Sequence, residues 1–133
     1  MASRILIVDD DADFVAMTKL ALEAAGYEVG AAVSGDDAMT VLDGGFKADG
    51  MILDVMMAGR ADGMIAARKL RKHPTYKSIP ILMLTGMRQA TGFAPIKDDP
   101  RDPVFLPVDV FLEKPVTREK LVAAVQDLLA AKR

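Results

Sequence analysis

Met51-Ile52-Leu53-Asp54-Val55-Met56-Met57 is a short apolar run that leads straight into a carboxylate. Read as a buried strand, it leaves Asp54 at its tip, where an unpaired charge is costly and needs a partner. Three other segments supply candidates. Ile5-Leu6-Ile7-Val8 runs into Asp9-Asp10, Ile81-Leu82-Met83-Leu84 into Thr85, and Val110-Phe111-Leu112-Glu113 into Lys114. Parallel pairing would bring these four ends together. The expectation is an acidic, phosphate-handling pocket centred on Asp54.

The intervening sequence supports that pairing. Ile5–Val8 shows no alternation, as expected for a parallel strand covered on both faces. Phe14, Met17, Ala21 and Ala25 recur at helical spacing and predict one buried face, with Gly26 ending the helix. Tyr27–Ala32 reads as a second, weaker strand. Ser34 is placed to cap a helix carrying Ala38, Val41 and Leu42, which Gly44-Gly45 stops. The third strand is Met51–Leu53 with Asp54 at its end, followed by a loop to Gly63. A helix from about Met64 to His73 ends at Pro74. The fourth strand is Ile81–Leu84 and the fifth about Asp109–Leu112. Thr117 caps a last helix that buries Leu121, Val125, Leu128 and Leu129. Such alternation predicts a parallel sheet with helices on both sides, and right-handed crossovers leave few topologies open.

The chain has 133 residues, 51% of them hydrophobic, a size and composition that fit one folded domain over residues 1–133. A net charge of −2 gives no electrostatic case for direct nucleic-acid binding. With no cysteine, disulfides, thiol catalysis and cysteine-ligated metals are excluded. Apolar runs are too short to cross a bilayer, and Met1-Ala2-Ser3-Arg4 leaves no room for a signal peptide. A cytoplasmic location is therefore expected.

In open α/β sheets, ligands bind beyond the carboxyl ends of the strands. Asp9, Asp10 and Asp54 would meet there, and two carboxylates about 4–5 Å apart repel by roughly 3–4 kcal/mol at an effective dielectric near 20. A hard cation removes that repulsion, and an oxygen-only ligand set suits Mg²⁺. A carboxylate nucleophile can then form an acyl phosphate, with the Thr85 hydroxyl and the Lys114 charge on the phosphoryl oxygens. At this level three readings stand: a phosphorylation-switched signalling module, a protein-interaction module that needs no phosphorylation, and a phosphatase with an aspartate nucleophile. His73 sits among Arg68, Lys69, Arg71 and Lys72 at a helix end, where cations are favourable, and the cluster reads as a solvated face.

Val8-Asp9-Asp10, Asp54 with Met57 three residues on, Thr85-Gly86 and Phe111-Leu112-Glu113-Lys114-Pro115 together resemble the response regulator receiver domain of bacterial two-component signalling. The resemblance covers almost the whole chain. It implies a flavodoxin-like, doubly wound sheet of five parallel strands in the order 2-1-3-4-5. It also implies a regulatory phosphoacceptor domain, not an enzyme acting on a separate substrate. A sensor histidine kinase or phosphotransfer protein would supply the phosphoryl group to Asp54, and a downstream protein would read the result. By the same resemblance Asp10 ligates Mg²⁺ directly, Asp9 acts mainly through water, and the Met56 backbone carbonyl completes the protein ligands. Phe111 matches the aromatic that reorients when Thr85 engages the phosphoryl group.

The chain departs from the family pattern in three places. Ala58 follows Met57 where proline is usual, the loop before Asp62-Gly63 is one residue longer, and a Pro-rich segment replaces the fourth helix. Pro95, Pro100, Pro103 and Pro107 forbid a long regular helix there. Residues 89–107 are expected to be irregular and to carry this protein's specific contacts. The resemblance also implies that Met56 and Met87, two positions after Asp54 and Thr85, border the path of the water that hydrolyses the phosphoryl group.

Overall fold

The computed structural model describes residues 3–54, 62–85, 110–113 and 116–130. In chain order they form β1 (Arg4–Val8), α1 (Ala12–Ala24), β2 (Glu28–Ala32), α2 (Gly35–Asp43), β3 (Gly50–Asp54), α3 (Asp62–Lys72), β4 (Ile81–Thr85), β5 (Val110–Glu113) and α4 (Arg118–Ala130). The sheet is parallel throughout, in the order β2-β1-β3-β4-β5. This is the parallel, helix-covered sheet that the alternating pattern predicts, in the flavodoxin-like, doubly wound order that the resemblance implies. The Pro-rich segment expected in place of a fourth helix lies outside the described residues.

Successive strand residues face opposite sides of the sheet, so each apolar run feeds two cores. Leu6, Val8, Met51, Leu53 and Met83 pack with Ala38 and Leu42 of α2 and with Ala67 and Leu70 of α3. Ile5, Ile7, Ile52, Leu82 and Leu84 pack on the other side with Leu22 of α1 and with Leu121, Val125 and Leu128 of α4. All five residues of β3 are buried. With both faces covered, a strand has no polar side to show, and the missing alternation in the sequence follows.

Local chemistry sets the ends of the helices. The Gly26 N–H donates to the Glu23 carbonyl and the Tyr27 N–H to the Leu22 carbonyl, closing α1. Gly26 sits at φ 99°, a conformation glycine adopts at least cost. Ser34 accepts the Asp37 N–H at 3.0 Å while Asp37 accepts the Val33 N–H at 3.0 Å, so the start of α2 is tied from both directions. Ser34→Ala should therefore lower stability by about 1 kcal/mol, measurable by urea unfolding. Thr117 caps α4 through the Lys120 N–H at 3.1 Å.

Three sequence readings are corrected. Met17 is 70% exposed and Ala25 is exposed, so neither belongs to the buried face of α1. That face is Thr18, Ala21 and Leu22, with Phe14 half-buried beside it. At 3.6 residues per turn, Met17 lies roughly a quarter turn from its centre. Helix α3 begins at Asp62, two residues before the expected start, and ends at Lys72. Arg71 is more than part of a solvated face, because its guanidinium donates to the carbonyls of Lys77 (3.0 Å) and Ile79 (2.6 Å).

Candidate functional site

Strand register alone brings the carboxylates together. Val8 pairs with Leu53 across β1 and β3, so the residues that follow them, Asp9 and Asp54, leave the sheet side by side. Asp54 in turn pairs with Leu84, one residue before Thr85. Thr85 pairs with Glu113, the residue before Lys114. All four strand ends named from the sequence thus lie along one edge of the sheet.

Carboxylate oxygens of Asp9, Asp10 and Asp54 lie within 4.8 Å of one another. Asp9 is 2% exposed and Asp54 7%, whereas Asp10 faces solvent. The environment of Asp9 is fixed by backbone as well as by charge. Its N–H donates to the Ala32 carbonyl at 3.0 Å, and its Oδ1 accepts the Asp11 N–H at 2.9 Å. Asp11 is the N-cap of α1 and accepts the N–H groups of Asp13 and Phe14. The three consecutive aspartates therefore divide their work: one frames the turn, one points outward and one starts the helix. Asp11, expected only as part of a turn, is placed to cap by its position directly before the first turn of α1, two residues ahead of Asp13.

Three carboxylates this close repel by roughly 3–4 kcal/mol per pair at an effective dielectric near 20. Hard oxygen donors of net negative charge, with no imidazole or thiolate among them, fit a divalent cation of the Mg²⁺ type. Thr85 and Phe111 are placed by their backbones in β4 and β5, with Phe111 opposite Met83. The side chains of Thr85 and Phe111, and Met56 and Lys114 as whole residues, lie outside what is described.

Comparison with known proteins agrees with this geometry. The family model for the response regulator receiver domain matches residues 5–126. The chain belongs to the response regulator receiver domain family. Among curated relatives, the receiver is 34% identical over 132 residues to a DNA-binding dual master transcriptional regulator, RpaA, of Synechocystis. The match takes in 95% of this chain and 48% of RpaA. It is 38% identical over 87 residues to the response regulator PleD of Caulobacter vibrioides, covering 65% of this chain and 19% of PleD. The receiver thus spans about half of one curated relative and about a fifth of the other.

Among solved structures, a response regulator receiver protein of Sinorhizobium medicae superposes with a TM-score of 0.79 at 31% identity, covering 99% of this chain and 98% of that one. The chemotaxis response regulator CheY4 of Vibrio cholerae gives 0.78 at 28% identity, covering 96% and 99%. Receiver domains are regulatory parts of two-component signalling, and the homologues of this receiver are bacterial response regulators.

Proposed function

We propose that this receiver takes a phosphoryl group from a phosphohistidine donor onto Asp54, with Mg²⁺, and thereby switches a protein-binding surface. The observation that carries the reading is the meeting of Asp9, Asp10 and Asp54 at the carboxyl ends of β1 and β3. A carboxylate oxygen of Asp54 attacks phosphorus as the bond from phosphorus to the donor's ring nitrogen breaks. The imidazole leaves with that electron pair, and an acyl phosphate remains on Asp54. Asp9, Asp10, Asp54 and the Met56 carbonyl would hold Mg²⁺, which when bound neutralises charge on the carboxylates and the phosphoryl oxygens.

The remaining roles follow the family pattern. The Thr85 hydroxyl and the Lys114 ammonium position the phosphoryl oxygens. Phe111 changes orientation as Thr85 moves. The donor is a sensor histidine kinase or phosphotransfer protein, and the reader of the switch is another protein. A single receiver unit over residues 1–133 and a cytoplasmic location belong to the same reading. No helix among the described residues is long and apolar enough to cross a membrane.

Intact-mass measurement with acetyl phosphate, with and without Mg²⁺, tests this reading. One added phosphoryl mass that depends on the metal is the expected result. A chain that stays unlabelled under both conditions would instead act without phosphorylation. Asp10→Ala deletes an exposed charged ligand while leaving the Asp9 turn bonds in place, so Mg²⁺ affinity should fall at least tenfold by titration calorimetry. Unchanged affinity would put the cation elsewhere.

The lifetime of the phosphorylated state gives a separate expectation. Met56 and Met87 offer no strong donor or acceptor with which to orient an attacking water. Self-dephosphorylation should be slow, and Met56→Asn should speed it roughly tenfold, part of the 10²–10⁴ that a water-positioning group can contribute. A decay rate unchanged in Met56→Asn would remove Met56 from the water's path.

A further inference from the structure

The chain's only histidine stands away from the acidic cluster, just past the last turn of α3. His73 donates its backbone N–H to the Leu70 carbonyl and accepts the Lys77 N–H at its own carbonyl. Its ring is tied in as well. Nδ1 accepts the Thr75 N–H at 3.0 Å. The ring stacks on Tyr76, with centroids 4.2 Å apart and planes 19° from parallel. The Tyr76 hydroxyl then donates to Oδ1 of Asp43, the last residue of α2, at 2.6 Å. A backbone amide, an imidazole, a phenol and a carboxylate therefore form one connected path between two helices.

We propose that His73, Tyr76 and Asp43 form a proton-sensitive clasp joining the end of α2 to the turn between α3 and β4. As the acceptor of an N–H, Nδ1 carries no proton, so the closed clasp needs the neutral ring. Protonation turns Nδ1 into a donor aimed at another donor. Thr75 loses its partner, the ring turns away, and the Tyr76 ring stacked on it loses the support that holds its hydroxyl at Asp43.

The charges around the ring come from three elements. From α2 there is the Asp43 carboxylate, reached through Tyr76. From α3 there are Arg71, occupied with the Lys77 and Ile79 carbonyls, and Lys72 next in the chain. The turn itself adds Lys77. Tyr76 stacks its face on the ring, and its hydroxyl carries the link on to the Asp43 carboxylate. None of these groups gives Thr75 a new acceptor in the ring. The hydrogen bond to Asp43 raises the phenol above its ordinary value, so Tyr76 remains a donor throughout the histidine range.

NMR spectra of the full chain between about pH 5 and 8 test the clasp. The signals of Thr75, Tyr76 and Leu42-Asp43-Gly44 should step together with the midpoint of the His73 ring. His73→Asn sets an amide oxygen near the place of Nδ1 and does not titrate. Thr75 should then keep its neutral-pH shift and the common step should vanish. Tyr76→Phe should keep the step at Thr75 and lose it at Leu42–Gly44. A step at Thr75 with none in α2 would reduce the device to a local titration and overturn the proposal. So would an α2 step that survives undiminished in Tyr76→Phe.

Discussion

Acetyl phosphate and Mg²⁺ should add one phosphoryl group to this receiver and none to Asp54→Asn. Asparagine matches aspartate in size and keeps a carbonyl acceptor, but its neutral amide is not a nucleophile toward phosphorus. Asp54 is 7% exposed at the end of the central strand, so the near-isosteric change leaves the packing of β3 in place. It also removes one of three mutually repelling charges within 4.8 Å. The variant should consequently unfold at the same temperature as the parent or higher, which separates lost chemistry from lost fold. Undiminished labelling of Asp54→Asn would sink the assignment. Neither neighbour is an equal substitute: Asp9 is 2% exposed and framed by the Asp11 N–H, and Asp10 faces solvent.

Leu53→Ala should produce the largest loss of stability among the changes considered. Leu53 is 0% exposed, in the middle strand of the sheet, and packs in the core shared by α2 and α3. Leu→Ala in such a site costs about 2.7–5 kcal/mol, transfer and cavity terms together. Against a total of about 5–15 kcal/mol, that is a large fraction. A melting temperature lower by roughly 10 °C or more is expected by calorimetry. Met17→Ala is the matched control: with 70% of the residue exposed, its truncation should stay within about 0.5 kcal/mol. Equal losses at the two positions would contradict the assignment of faces in α1 and β3.

The sheet was legible because each strand is a run of apolar residues closed by a polar one, and burial on both faces erases alternation. Strand order came from the family resemblance together with the chirality of crossovers. The caps at Ser34 and Thr117 were legible because capping is local: an oxygen three residues before the amide it accepts. Met17 misled because α1 is apolar beyond its buried face, with Leu20 also 70% exposed. Periodicity then offers more than one stripe, and only packing against β2 and α4 selects Thr18, Ala21 and Leu22. Contacts between distant residues were out of reach for a different reason. Tyr76 and Asp43 are 33 positions apart, and neither sits in a motif that names the other. At the site, the acidic residues were legible one by one. Their 4.8 Å proximity required the register of β1 on β3.

That register has a consequence for the order in which the molecule assembles. All three clustered carboxylates belong to the first 54 residues, and pairing β1 with β3 is enough to bring them together. Strands β4 and β5, which come later in the chain, lie on the side of β3 away from β1. On the ribosome, the acidic cluster can thus form before β4 and β5 have been synthesised. The native strand pairing that buries Ile52 and Leu53 also gathers like charges, so hydrophobic gain and electrostatic cost arrive in the same step. A divalent cation bound at the cluster would relieve the repulsion in that step, so folding speed, as well as final stability, should depend on the ions present while the chain folds.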